Sequence, residues 1–191
     1  MSDEISHIIA NGVTYKIIKL LGKGKGGYSY LALANDKEVV VKQIHHEPCD
    51  YYKFGNKIEA ERYDYQRLVN AGIRIPKFID IDLKKEIIVK EYIDGETISE
   101  MISSGKSVEQ YIPQVREMAS LALQAGLNID YYPTNFVVCN GVLFYIDYEC
   151  NEYSEEWNFE NWGIKYCILT ISDKITLLFG ELLWIFISGS S

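Results

Sequence analysis

The stretch that most constrains this chain is Asp130-Tyr131-Tyr132-Pro133-Thr134-Asn135 together with Asp147, which follows in Leu143-Phe144-Tyr145-Ile146-Asp147. Between them lies the apolar run Phe136-Val137-Val138, then Asn140-Gly141, then a second apolar run from Val142 to Ile146. Asn-Gly between two such runs predicts a β-hairpin, because both residues tolerate the positive φ of a type I′ turn. That hairpin brings Asn135 and Asp147 together by local topology, while Pro133 fixes the loop that carries Asp130. An amide and a carboxylate placed so are hard oxygen donors of the kind Mg²⁺ takes, since that ion keeps several waters and relies on few protein ligands. The plainer reading makes Asp130 a turn residue and Asp147 a strand end. The upstream chain decides between the two.

Upstream, about Ile8 to Ile44 reads as strands. Asn11-Gly12 is a second hairpin signal, and Thr14 to Leu21 is a β-rich run. Gly22, Gly24 and Gly27 then fit G-x-G-x-x-G, followed by another strand over Tyr28 to Ala34, a turn at Asn35-Asp36, and a strand over Glu38 to Ile44. A dinucleotide fingerprint would lead into a helix; this loop leads into a strand. Backbone N–H groups freed of side chains in such a loop can approach phosphates. Lys42 sits in the otherwise apolar strand Val39-Val40-Val41, so it needs either water at a sheet edge or a carboxylate partner. A helical pattern from Lys53 to Asn70 supplies one: Ile58, Tyr65, Leu68 and Val69 share a face with Glu61. Glu61 is the expected partner, with Glu59 the alternative.

The helix stops at Gly72, and Pro76 favours extended chain beyond it. Lys77 to Asp82 and Glu86 to Glu91 read as antiparallel strands joined at Leu83-Lys84-Lys85, and Glu91 to Gly95 as a connection between two lobes. A short helix is expected from Glu96 to Ile102. A longer one, Val108 to Ala125, carries Ile112, Val115, Met118, Ala119, Leu121 and Ala122 at helical spacing. Glu152 to Gly163 reads as a helix that packs its aromatics inward and shows its acids to water, or else as a lip for a cationic substrate.

Taken together, Gly22-x-Gly24-x-x-Gly27, Lys42, Glu61, Asp130-x-x-Pro133-x-Asn135 and Asp147 resemble the eukaryotic-like protein kinase superfamily over roughly residues 15–149, in its order and approximate spacing. The chain looks most like compact, atypical members: RIO-type kinases, the small kinase of the KEOPS complex, and bacterial proteins related to aminoglycoside and choline phosphotransferases. The resemblance implies an α+β, bilobal fold in a single kinase-like domain. Residues 1–92 would form an antiparallel-sheet N-lobe and residues 93–191 a reduced helical C-lobe. It also implies ATP and Mg as cofactors. Gly22, Gly24 and Gly27 would cover the phosphates, Lys42 held by Glu61 would fix them, Asn135 and Asp147 would bind the metal, and backbone at Glu91 to Ile93 would read adenine. Asp130 would orient the acceptor hydroxyl, either of a protein Ser/Thr or of a small molecule.

Three departures bear on this. Asn128 stands where the family usually has a histidine that supports the metal strand. Tyr132 replaces a lysine that helps neutralise the transferred group. The metal motif reads Asp147-Tyr148-Glu149 and lacks the usual glycine, leaving Glu149 either an extra ligand or an exposed acid. No long activation segment follows within the remaining 44 residues, so switching by phosphorylation there is not expected. A nucleotide-binding ATPase or a pseudokinase scaffold is the rival from another class.

Composition narrows the partners. A net charge of −8 over 191 residues argues against a nucleic-acid binder working by a broad basic field. Cys49, Cys139, Cys150 and Cys167 form no C-x-x-C pair and read as free thiols in a reducing compartment. The acidic N-terminus lacks the form of a secretion signal, so a cytoplasmic protein is expected. The apolar run Ile175 to Ile187, within residues 165–191, is interrupted by Glu181, with Asp173 and Lys174 just before it; it predicts a packed helix able to self-associate rather than a transmembrane span.

Overall fold

The computed structural model describes residues 6–24, 26–47 and 55–165. Six strands form one antiparallel sheet: β1 (His7–Ala10), β2 (Val13–Lys23), β3 (Gly27–Ala34), β4 (Lys37–Ile44), β5 (Phe78–Asp82) and β6 (Ile87–Glu91), in the order β1-β2-β3-β4-β6-β5. Both predicted Asn-Gly turns form, Asn11 and Gly12 at φ of 45° and 80°, and Asn140 and Gly141 at 50° and 78°. The first turn also curls the sheet. The Asn11 backbone N–H donates to Asp82 (3.1 Å), and its side-chain amide reaches Asp80 and the Ile81 carbonyl (2.9 Å). Lys85 crosses to the Ile9 carbonyl at 2.7 Å. Edge strand β1 is thus tied back to β5, and Ile8, Tyr15, Tyr30, Val39, Val41 and Val89 fill the inside of the curl.

Helix α1 (Lys57–Asn70) begins at Asn56, whose side chain accepts from the Glu59 N–H, and ends at Gly72 with φ of 78°. Ile58 and Leu68 are buried on its inner face. Val69, expected on that face, is 42% exposed, because it lies one position further round the helix than Leu68. The chain then passes through β5 and β6 to the short strand β7 (Glu96–Thr97), helix α2 (Ile98–Ser103) and helix α3 (Ile112–Gln124). Thr97 and Glu100 form a reciprocal capping box at the start of α2. Helix α3 starts later than the expected Val108, after a 3₁₀ turn at Glu109–Tyr111, because Pro113 suits a first turn where its missing N–H has no partner to lose.

β8 (Leu127–Ile129) pairs with β11 (Cys150–Glu152), and the predicted hairpin is β9 (Phe136–Cys139) with β10 (Val142–Tyr145). β7 pairs with β9 as well, and the join is tight: a Cβ on Gly95 would meet the Val138 carbonyl oxygen at 2.1 Å. The second core gathers Leu68, Ile98, Met101, Met118, Leu127, Phe136, Leu143 and Tyr145. A third, smaller cluster of Ile44, Ile58, Ile88 and Tyr148 joins sheet, α1 and the segment after β10.

Residues 152–163 do not form the expected single helix. Asn158 accepts from the Asn161 N–H and starts a new turn, splitting the stretch into a 3₁₀ turn, Glu155–Trp157, and a π-helical turn, Phe159–Gly163. Phe159 is buried, while Trp157 is 45% exposed. Cys139 and Cys150 are free; Cys49, Cys167 and the apolar run Ile175 to Ile187 lie outside the described residues. Among the described residues no helix is long and apolar enough to cross a membrane.

Candidate active site

Lys42 projects from the middle of β4, between Ser29 on β3 and Ile88 on β6. Its ammonium pairs with Glu61 on α1, and the two side chains are 13% and 15% exposed. Glu59, the alternative, faces outward and pairs with Arg62 at 2.7 Å. Burial is the largest influence on Lys42 and pulls its pKa down, yet Glu61, Asp147 and Glu149 together outweigh it and leave the pKa raised. Lys42 is therefore a fixed ammonium.

The glycines divide by role. A Cβ on Gly27 would lie 2.5 Å from the Gln43 carbonyl, so this glycine lets β3 pack on β4. Gly22 lies in β2 opposite Ser29, and the Gly24 N–H closes the loop onto the Gly27 carbonyl at 3.0 Å. Gly26, outside the predicted set, comes closest to the charge pair: a Cβ there would be 3.5 Å from both the Lys42 Nζ and Glu61 Oε1. The loop is held on its far side by His45, whose ring contacts the Gly24 carbonyl at 3.0 Å, and by Glu47, which binds Lys23 and the Tyr28 hydroxyl, each at 2.6 Å.

Asp147 lies one residue beyond the end of β10, after Ile146, and the buried Tyr148 next to it anchors the segment. The Tyr148 hydroxyl donates to the Pro76 carbonyl at 2.7 Å, and its ring lies 4.9 Å from Tyr65 on α1. With its neighbour so fixed, the Asp147 carboxylate accepts from the Tyr148 N–H at 2.8 Å. Burial alone would push the Asp147 pKa up, but Lys42, Lys90 and the N–H groups of Tyr148 and Glu149 hold it below the usual carboxylate range.

Lys90 was not among the residues predicted for the site. It lies on β6, buried, donates to the Ile146 carbonyl at 2.5 Å and sits 4.6 Å from the centre of the Tyr148 ring. Burial first, then the neighbouring Lys42 charge, push its pKa down to about 8. The available signal was the one used for Lys42: a lone lysine in an apolar strand, here Ile87-Ile88-Val89-Lys90.

Asn135 ends the 3₁₀ turn Pro133–Asn135. Its carbonyl accepts from the Ile146 N–H at 2.8 Å, which extends the β9–β10 ladder up to Asp147. Its side-chain nitrogen reaches the Asp130 carbonyl at 3.4 Å, directing the amide oxygen away from that contact. The Asp130 carboxylate accepts from the Tyr132 N–H at 3.3 Å, and the Asp130 N–H donates to the Tyr145 hydroxyl at 3.2 Å. Tyr131 is buried against Phe159, while Tyr132 is 44% exposed. Asn128 turns the other way, donating to the Ser154 carbonyl at 2.8 Å.

Asn135 and Asp147 supply two oxygen donors of the kind Mg²⁺ accepts. Among the described residues no group of three or more His, Cys, Asp or Glu could hold a metal ion. Were a Mg²⁺ held by this pair, water and phosphate would have to supply its remaining ligands.

The fold is α+β and bilobal in the manner of protein kinases, and with it goes a similarity in sequence to two curated proteins. The chain is 27% identical over 132 residues to a probable serine/threonine-protein kinase of Clostridium acetobutylicum, a match covering 65% of this chain and 20% of that protein. It is also 27% identical over 94 residues to the KEOPS complex subunit Bud32 of Pyrococcus abyssi, covering 47% of this chain and 42% of that one. The chain therefore spans from a fifth to about two fifths of the length of these curated relatives. No family model matches it.

Proposed function

We propose that this chain is an ATP- and Mg²⁺-dependent phosphotransferase that acts on a hydroxyl, with a protein Ser/Thr side chain as the leading acceptor. The observation that carries the reading is the largely covered Lys42–Glu61 pair beside Asp147, with Asn135 tied to the same segment through Ile146. A persistent ammonium next to a persistent carboxylate suits a triphosphate and its counter-ion. Two relatives named as a kinase and as Bud32 support the same class.

In this reading Lys42 binds nucleotide phosphate, and the glycine loop covers it with backbone N–H groups. Asn135 and Asp147 would hold Mg²⁺, which supplies charge neutralisation on the phosphate oxygens when bound. Asp130 orients the acceptor hydroxyl. The acceptor oxygen forms a bond to the γ-phosphorus as the bond from that phosphorus to the β,γ-bridging oxygen breaks, ADP leaves, and the hydroxyl proton passes to Asp130 or to water. Little covalent chemistry is asked of the protein, so positioning and electrostatics carry the rate.

Transfer of labelled γ-phosphate to protein, measured against release of free phosphate, tests the reading. Asp130→Ala is expected to lower transfer by about 10²- to 10⁴-fold while ATP still stabilises the protein thermally in the presence of Mg²⁺. Unchanged transfer would remove Asp130 from the mechanism. One observation favours a second reading: Tyr132 places an exposed aromatic ring, with no charge, beside Asp130. This suits a small-molecule acceptor, or a nucleotide-binding protein with slow turnover. Transfer to small hydroxylated compounds but not to protein would select the former, and phosphate release without transfer the latter.

A further inference from the structure

Tyr145 is the last residue of β10. Alternation along that strand turns it, with Leu143, into the core, where its ring lies 5.4 Å from Phe136 and the residue has no solvent exposure. A tyrosine hydroxyl so deep requires partners. It has two, and both belong to the candidate site: the hydroxyl donates to the Glu149 carbonyl at 2.7 Å and accepts from the Asp130 N–H at 3.2 Å.

The first bond closes the chain on itself around Asp147, since Tyr145 and Glu149 flank it by two residues on either side. The second attaches the Asp130 loop to the same oxygen. One atom therefore holds the backbone of both segments, the one that carries the carboxylate proposed to bind metal and the one that carries the carboxylate proposed to orient the acceptor. Asn128 makes no such tie, because its amide is engaged by Ser154 on the far side. The Asp130 and Asp147 segments are further linked through Asn135, whose side-chain nitrogen reaches the Asp130 carbonyl at 3.4 Å and whose own carbonyl accepts from the Ile146 N–H.

We propose that Tyr145 is a positioning residue: its hydroxyl, hydrogen-bonded to the Asp130 N–H and the Glu149 carbonyl, couples the acceptor loop to the Asp147 segment, so that loading the one orders the other. The inference rests on the phosphotransferase reading above. Phenylalanine fills the same volume and keeps the contact with Phe136 but lacks the coupling atom.

Amide hydrogen exchange on the full chain, with and without Mg²⁺–ATP, tests this without relying on turnover. In the wild type, nucleotide is expected to protect both the 146–150 and the 128–132 segments. In Tyr145→Phe, protection at 146–150 remains and protection at 128–132 is lost. Kinetically, the variant is expected to lose about 10- to 100-fold in kcat with KM for ATP within about threefold of wild type, as misorientation rather than lost binding predicts. Phe136→Leu, which loosens the same ring, is expected to lower Tm and leave both protections in place.

Wild-type protection at 128–132 in Tyr145→Phe overturns the proposal, and so does a change in KM alone. Should Tyr145→Phe fail to fold, 3,5-difluorotyrosine placed at position 145 keeps ring and hydroxyl but weakens the oxygen as an acceptor. Faster exchange at Asp130 with unchanged Tm then supports the coupling, and unchanged exchange overturns it. A wild-type chain in which Mg²⁺–ATP protects neither segment overturns the phosphotransferase reading itself, and this inference with it.

Discussion

Lys42 and Asp130 belong to different halves of the molecule and are held by different means. Lys42 stands on a central strand with neighbours hydrogen-bonded on both sides, and a largely covered carboxylate on α1 fixes its ammonium. Asp130 stands in a loop, and the contacts that place it include neutral hydrogen bonds from its backbone to a phenol and an amide, with its carboxylate accepting from a backbone N–H. Charges in a poorly solvated site interact strongly and are expensive to orphan, whereas a neutral hydrogen bond is worth only about 0.5–1.5 kcal/mol net. In the sheet half, then, site chemistry and stability are bound together. In the catalytic-loop half geometry can fail while the fold survives.

The strongest way to break this contrast is Lys42→Met. It leaves Glu61 buried without its ammonium, and Lys90, within electrostatic reach, offsets only part of the loss. A loss of about 2–3 kcal/mol of stability is expected, below the 3–5 typical of fully buried pairs because both side chains retain some exposure. Transfer should fall by about 10²- to 10³-fold, the usual effect of removing one preorganised electrostatic group. Urea denaturation beside the transfer assay measures both. A variant that lost transfer but none of its stability would place Lys42 with Asp130, and the two halves would no longer differ.

The same division governs what could be read from sequence. Strands, turns and α1 follow from alternation, Asn-Gly pairs and helical spacing, all of which are local. So does the adjacency of Asn135 and Asp147, since one hairpin produces it. Helix phase favours Glu61 as the partner of Lys42 and leaves Glu59 open; the structure pairs Glu61, and it exposes Val69, which the same phase puts on the inner face. What was not legible depends on contacts between distant segments. Tyr145 reads as one more apolar strand residue until β8, β10 and residues 147–149 are assembled around its hydroxyl. Gly26 looks interchangeable with its neighbours until α1 brings Glu61 beneath it. The split of residues 152–163, by contrast, is local: Asn158 caps a new turn by accepting from the Asn161 N–H.

A smaller effect is expected where the halves meet. Gly95→Ala drives a methyl group into the Val138 carbonyl, a backbone atom that cannot swing aside, so β7 and β9 must separate slightly. Overpacking of this kind costs about 1–3 kcal/mol. The loss should appear as a lower Tm, with nucleotide-induced protection retained in both halves. If instead the variant binds ATP normally but transfers poorly, the join itself is part of the positioning apparatus and the contrast between charge and geometry needs a third member.

The finest test concerns Lys90, a charge in the sheet half that works against the fold. Its pKa is pushed down to about 8, by burial first and by Lys42 second, from an ordinary value of 10.5. Between those pH values the unfolded chain holds a proton that the folded chain has released, so Lys90 makes stability rise with pH across this window. Below about pH 8 its burial penalty is fully present. Lys42 behaves oppositely: its raised pKa gives a stabilisation present below 10.5 and lost only as pH climbs through the higher folded value. The two windows therefore separate, and the difference between wild type and Lys90→Met isolates the first. The shift corresponds to roughly 3 kcal/mol. The lost bond to the Ile146 carbonyl and the lost contact with the Tyr148 ring offset part of it. Lys90→Met should then be more stable than wild type at pH 7 by about 1–2 kcal/mol, with the advantage shrinking as pH rises through 8 to 10. Urea midpoints at pH 7, 8, 9 and 10 measure this. A variant less stable than wild type at pH 7 would mean that Lys90, like Lys42, belongs to the groups that hold the site together.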